Sequence, residues 1–255
     1  MNASVETNDT YRIGIDVGGT FTDVVLVDDR TGAVRVAKVL NSHPDRADTV
    51  LSGIRRLLDE TGIPSGRISY IGHGTTITTN AVIERKGART ALITNKGFRD
   101  VLEIGRFGRP PELIYRVHEG RPDAYVDREF RVGVPCRVTA DGEVAADLDM
   151  DELARLVEEL KAKEVEAIAV CFLFSFLNPL HEEQVRDYLA EHFPAAHVVL
   201  SSDILREFRE YPRTSTTVFA AYVAPVLRRY VASLVDRLSS NGIGCPLYIF
   251  QSNGG

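Results

Sequence analysis

Eight consecutive residues, Asp16-Val17-Gly18-Gly19-Thr20-Phe21-Thr22-Asp23, limit what this chain can fold into more than any other stretch. They join two runs in which apolar and polar positions alternate, 12–17 and 21–28, and alternation over that length predicts two strands closed by a hairpin. The Gly18-Gly19 pair suits the positive-φ positions of a tight turn. A second turn at 29–32 and renewed alternation over 33–39 add a third strand and make an antiparallel meander.

The same octapeptide carries chemistry. A carboxylate at a strand end (Asp16), two glycines that admit a ligand close to the backbone, hydroxyls on the return strand (Thr20, Thr22) and a second carboxylate (Asp23) suit a Mg-bound phosphate. Amides and hydroxyls would donate to phosphate oxygens while carboxylates hold the metal's waters. An ordinary hairpin accounts for the glycines alone. No Lys follows them as in a Walker loop, and the spacing from Gly14 to Gly19 does not fit a dinucleotide fingerprint.

Further along, Val50, Leu51, Ile54, Leu57 and Leu58 share one helical face within 45–60, and Gly62 closes it. A strand (68–71), a Gly-His-Gly loop, a helix (76–86) and a buried strand (90–94) give the order β-β-β-α-β-α-β. Pro110, Pro111, Pro122 and Pro135 mark 97–149 as an irregular insertion. Helices at 150–163 and 180–192 then alternate with strands at 166–174 and 197–200, a second α/β segment that extends the first sheet or packs beside it. Helical spacing from Val218 to Leu238 predicts a long helix kinked at Pro225. The domain reading is a disordered tail over 1–11, an α/β domain over 12–200, and a long helix plus the first strand of a following domain over 201–255, cut off in mid-fold.

With 44% hydrophobic and 26% charged residues among 255, the chain is neither disordered nor fibrous. Its formal net charge of −6 argues against a surface made to hold nucleic acid or an anionic membrane. No apolar run reaches the ~18 residues of a membrane span, and the polar, acidic start is unlike a secretory signal, so a cytoplasmic location is expected. Cys136, Cys171 and Cys245 are odd in number and far apart, which favours buried free thiols over disulfides or a thiolate metal cluster.

A second constellation is Gly72-His73-Gly74-Thr75-Thr76, with Asn80 a turn later. A strand that opens through glycines into a hydroxyl-rich helix start offers amides to a carboxylate, amide oxygen or phosphoryl group. Threonines bonding back to their own carbonyls explain the pattern as well. Arg106 and Arg109 suit either a bidentate anion clamp or a solvated loop. His43, His118, His181, His192 and His197 show no metal-ligand spacing.

The Asp-x-Gly-Gly-Thr hairpin resembles the first phosphate motif of the actin, heat-shock chaperone and sugar kinase superfamily, whose members look like two RNase H-like domains closing on ATP. Within it, RIGIDVGGTFTDVVLVD, IGHGTTITTNAVIERKGARTALITNKGFRDVLEIGR, EFREYPRTSTTVFAAYVAPVLRRYV and PLYIFQSNGG are similar to the hydantoinase A and 5-oxoprolinase family. The resemblance implies an α/β, RNase H-like (actin-like ATPase) fold truncated before the second such domain. It implies ATP-dependent opening of a small cyclic amide, with ATP and Mg as cofactors, phosphorylation of the substrate oxygen, and a hydantoinase B-like partner subunit or domain that completes the reaction. The ATP-using subunit of an acetone- or acetophenone-type carboxylase is the alternative, and a noncatalytic fragment is another. Carried onto this chain, Asp16 is the Mg and phosphate residue, Gly18, Gly19, Thr20, Phe21 and Thr22 face the nucleotide, and Asp23 is a further catalytic carboxylate. His73, Gly74, Thr75, Thr76, Asn80, Arg106 and Arg109 fall on the substrate side. Half a cleft is expected to have no turnover alone. Ala220 stands where relatives often carry Asn, which weakens a polar role for that turn.

Overall fold

The computed structural model describes residues 10–41, 45–106, 111–113, 115 and 123–250. The expected tail lies outside the described residues as far as residue 9, and Tyr11 already belongs to a strand. In chain order the elements are β1 (Tyr11–Val17), β2 (Phe21–Asp28), β3 (Val34–Leu40), α1 (Arg46–Thr61), β4 (Ile68–Thr75), α2 (Ile77–Ile83), β5 (Thr90–Asn95), α3 (Val101–Ile104) and β6 (Arg131–Val134). Then follow β7 (Arg137–Val138), β8 (Val144–Ala146), α4 (Met150–Ala162), β9 (Ala167–Cys171), α5 (Leu180–His192), β10 (His197–Leu200), α6 (Ser201–Ile204), α7 (Glu210–Ser240) and β11 (Leu247–Ile249). They form two compact units, one made of the residues up to Ile83 with those from Leu227 onward, the other spanning Glu84–Val226.

The first unit is built on a five-stranded sheet of order β11-β4-β1-β2-β3. The meander pairs antiparallel, whereas β1–β4 and β4–β11 are parallel. Alternation decides which side is buried: Ile13, Ile15, Val17, Val24 and Leu26 form one core with Val50, Ile54 and Leu57 of α1 and Leu234 and Leu238 of α7. Each such side chain taken from water contributes about 1.5–3 kcal/mol. Asp45 caps α1 by accepting the Ala47 amide, and Gly62 ends it at φ 69°. Gly53 lets α1 lie close on β2, since a Cβ there would sit 2.6 Å from Val24 Cγ2. β11 differs from the sequence reading, which gave it to a following domain. It is the fifth strand of this sheet, because the C-terminal part of α7 packs on the core and returns the chain to the free edge of β4.

The second unit holds a wholly parallel sheet of order β10-β9-β5-β6. Every residue of β5 and β9 is buried, which fits their near-continuous apolar runs. Leu153, Val157 and Leu160 of α4 and Val185 and Leu189 of α5 join one cluster, while Val218 and Ala221 of α7 join another. The second α/β segment thus has a sheet of its own, and β5 belongs to it. Within the stretch read as irregular, β6 enters that sheet and β7–β8 form a small antiparallel pair. Strands of two to four residues are too short to show a period. α7 is long and apolar enough to cross a bilayer by length and composition, contrary to the expectation from apolar runs. Its apolar positions nevertheless enter the cores of the two units.

A buried polar node also lies in this unit. Glu182 is fully buried and accepts the amides of Phe172 and Ser202, both at 2.9 Å, and the hydroxyl of Ser201 at 2.6 Å. Arg213, only 1% exposed, stands 3.7 Å from that carboxylate and donates to the Phe172 carbonyl and to the hydroxyls of Ser175 and Ser201. Cys136 and Cys171 are buried free thiols as expected, and burial pushes Cys136 up to about 12; Cys245 is only partly buried.

Candidate functional site

The hairpin between β1 and β2 gathers the polar groups. Cross-strand register puts Asp16 opposite Asp23 on β2 and opposite Gly74 on β4, so the row runs Lys38, Asp23, Asp16, Gly74 over one sheet face. Lys38 pairs with Asp23 at 2.8 Å and lies 5.2 Å from the centre of the Phe21 ring. Asp16 is exposed and has no hydrogen bond or ion pair among the described residues. A Cβ on Gly74 would make an ordinary contact with Asp16 Oδ1, at 3.7 Å.

The turn is not the one expected. Neither Gly18 nor Gly19 has a φ in the left-handed region. The reversal runs instead through Gly19 and Thr20, closed by the Gly18 amide donating to the Phe21 carbonyl at 3.0 Å, and it is made without a left-handed φ at any of these residues. The amides of Gly19 and Thr20 make no hydrogen bond among the described residues, and both residues are exposed. A Cβ on Gly19 would meet nothing within 4 Å. Neither strain nor internal crowding therefore requires glycine there.

Thr22 departs from the nucleotide-facing set. It is fully buried and its hydroxyl donates to Asn41 Oδ1 at 2.7 Å, so it holds the hairpin and does not face a ligand. Asn41 Nδ2 donates to the Gly18 carbonyl at 3.0 Å and the Asn41 amide to the Thr20 carbonyl at 2.9 Å. Arg46 donates to the Gly19 carbonyl at 3.1 Å. Sequence reasoning missed both, since neither lies in a motif; Asn41 follows the end of β3 and Arg46 opens α1.

The second constellation is mostly structural. The Gly-His-Gly stretch is not a loop but part of β4, paired with β1 through Thr75. His73 is fully buried, with Nε2 2.7 Å from the Tyr230 hydroxyl and Nδ1 without a hydrogen bond. Burial pushes its pKa below 6.5, against opposing contributions from the Ile15 backbone and the Asp16 charge. A core ring of this kind is not a substrate-side acid or base. Thr75 Oγ1 accepts the Ile77 amide at 3.2 Å, and Thr76 Oγ1 donates to the Val17 carbonyl at 3.1 Å. Asn80 Nδ2 reaches Thr76 Oγ1 at 3.5 Å, so these polar groups fasten α2 to β1. Arg106 is exposed and belongs to the second unit; Arg109, like His43, His118 and the Ser252–Gly255 end, lies outside the described residues.

A three-stranded antiparallel meander leading into a parallel strand, with helices between, defines an RNase H-like α/β protein. The hydantoinase/oxoprolinase N-terminal region model matches residues 12–193 and the hydantoinase/oxoprolinase model residues 213–255. The chain belongs to the hydantoinase/oxoprolinase family. It is 33% identical over 251 residues to caprolactamase subunit alpha of Pseudomonas jessenii, covering 96% of this chain and 36% of that one. It is 30% identical over 270 residues to the acetophenone carboxylase gamma subunit of Aromatoleum aromaticum, covering 100% and 37%. The crystal structure of ATP-dependent caprolactamase from Pseudomonas jessenii superposes with a TM-score of 0.86 at 31% identity, covering 96% of this chain and 36% of that one. This chain thus spans little more than a third of the length of these relatives.

Proposed function

We propose that this chain is the ATP-using N-terminal part of a cyclic-amide hydrolase that activates its substrate by phosphorylating the amide oxygen. The observation that carries the reading is the exposed, unpartnered set at the hairpin: Asp16, the Gly19 and Thr20 amides and the Thr20 hydroxyl. The amides would receive phosphate oxygens, and Arg46 holds the Gly19 carbonyl away from them. Among the described residues no group of three or more His, Cys, Asp or Glu could hold a metal. The donor set still fits Mg²⁺, which takes one or two carboxylates and completes its shell with phosphate oxygens and water. Asp16 is the carboxylate available for it, since Asp23 is paired with Lys38. The metal when bound neutralises phosphate charge; the hairpin's part is to fix where the phosphate lies.

The substrate in this proposal is a small lactam or cyclic imide, the partner a hydantoinase B-like subunit or domain, and the location cytoplasmic. Similarity to the acetophenone carboxylase gamma subunit favours a second reading, ATP-dependent activation of a ketone with bicarbonate. Release of ADP by the whole protein with its partner, assayed with 5-oxoproline, caprolactam and hydantoin against acetone or acetophenone plus bicarbonate, separates the two. Asp16→Ala is expected to abolish ATP turnover while the fold persists, and unchanged turnover in a folded variant overturns the phosphate site. The 255 residues alone are expected to show no turnover.

A further inference from the structure

We infer that Asn41 is the positioning residue of the phosphate hairpin, an inference that rests on the phosphate reading above. A single residue, one position beyond the end of β3, engages three points of the loop: the Gly18 carbonyl through Nδ2, the Thr22 hydroxyl through Oδ1, and the Thr20 carbonyl through its own amide. Two of these partners flank Gly19 directly, and the third anchors the return strand beneath it. With both carbonyls turned toward Asn41, the peptide groups between them are set, and the Gly19 and Thr20 amides remain unpaired and exposed.

A loop whose glycines are not held by left-handed φ values has few local reasons to keep one shape. Asn41 supplies that reason from outside the loop. An amide side chain suits the role, because it must donate to a carbonyl and accept from a hydroxyl at once. Asp lacks the donor and Ala lacks both, so neither substitute can span the loop. Asn41 touches no ligand atom in this scheme; its effect passes through the backbone it orients.

The test uses Asn41→Ala and Asn41→Asp in the whole protein, with MgATP as probe. Three measurements are made on each protein: exchange of the Gly18 amide without ligand, MgATP titration followed at the Gly19 and Thr20 amides, and the melting temperature. Both variants are expected to exchange the Gly18 amide at least tenfold faster and to bind MgATP at least tenfold more weakly, while the amides of β4 keep their protection. Unchanged Gly18 exchange overturns the inference, as does unchanged MgATP affinity. Exchange that rises equally across the whole sheet also overturns it, since Asn41 would then be a general stabiliser. If MgATP moves no hairpin amide in the unsubstituted chain, the phosphate reading falls, and the positioning role falls with it.

Discussion

Glu182→Gln tests whether the buried node in the second unit is held as a charged pair. Glu182 and Arg213 are 0% and 1% exposed at the side chain, with 3.7 Å between them. The carboxylate takes the Phe172 amide and Ser201 hydroxyl on Oε1 and the Ser202 amide on Oε2. Gln can keep the Oε1 contacts but must then turn its NH₂ toward the Ser202 amide, donor against donor. It also leaves the Arg213 guanidinium buried without its counter-charge. Breaking a buried pair in this way costs about 3–5 kcal/mol, which at ~2–4 °C per kcal/mol for a unit of this size lowers the melting temperature by roughly 6–20 °C. Thermal and urea unfolding followed through exchange of the Ala167–Cys171 amides of β9 reads that unit directly. The paired variant Glu182→Leu/Arg213→Met, which leaves no orphaned charge, is expected to lose less than either single change. A Glu182→Gln loss below about 1 kcal/mol would refute the reasoning, because it would mean that water or another group already satisfies Arg213.

Gly87→Ala is expected to destabilise the second unit by about 1–3 kcal/mol through overpacking, as its Cβ would fall 2.1 Å from Tyr222 Cε1, and an unshifted urea midpoint would contradict this. The pKa of His73 is depressed, chiefly by burial, so its neutral form contributes stability above about pH 6.5 that is lost as pH falls from there through the folded-state value. Comparing urea midpoints at pH 7.5 and 5.5, His73→Phe/Tyr230→Phe is expected to show a smaller acid loss than the unsubstituted chain; an equal loss would place the titration elsewhere.

Much of the fold was legible locally. Alternation marked β1 to β3, the apolar stripe with its Gly62 stop marked α1, and the run at 180–192 coincides with α5, because these signals lie within a few residues of one another. The polar groups left exposed at the hairpin were legible for the same reason: Asp16, Gly19 and Thr20 are neighbours in sequence and stay neighbours in space.

Which strands share a sheet was not legible. Two parallel strands can each read as an apolar run without naming a partner, so only the structure assigned β5 and β6 to one sheet and β11 to the other. The chemical standing of individual side chains was equally hidden. His73 reads as a loop histidine until Tyr230, 157 positions away, meets its ring in the core. Thr22 reads as a phosphate donor until Asn41, 19 positions on, takes its hydroxyl. Sequence by itself determined the local elements and the place of the β1–β2 hairpin, because period and adjacency are properties of short stretches. Tertiary structure alone decided which polar groups are spent inside the fold and which remain free for a ligand, because burial and long-range hydrogen bonds depend on where distant segments come to rest.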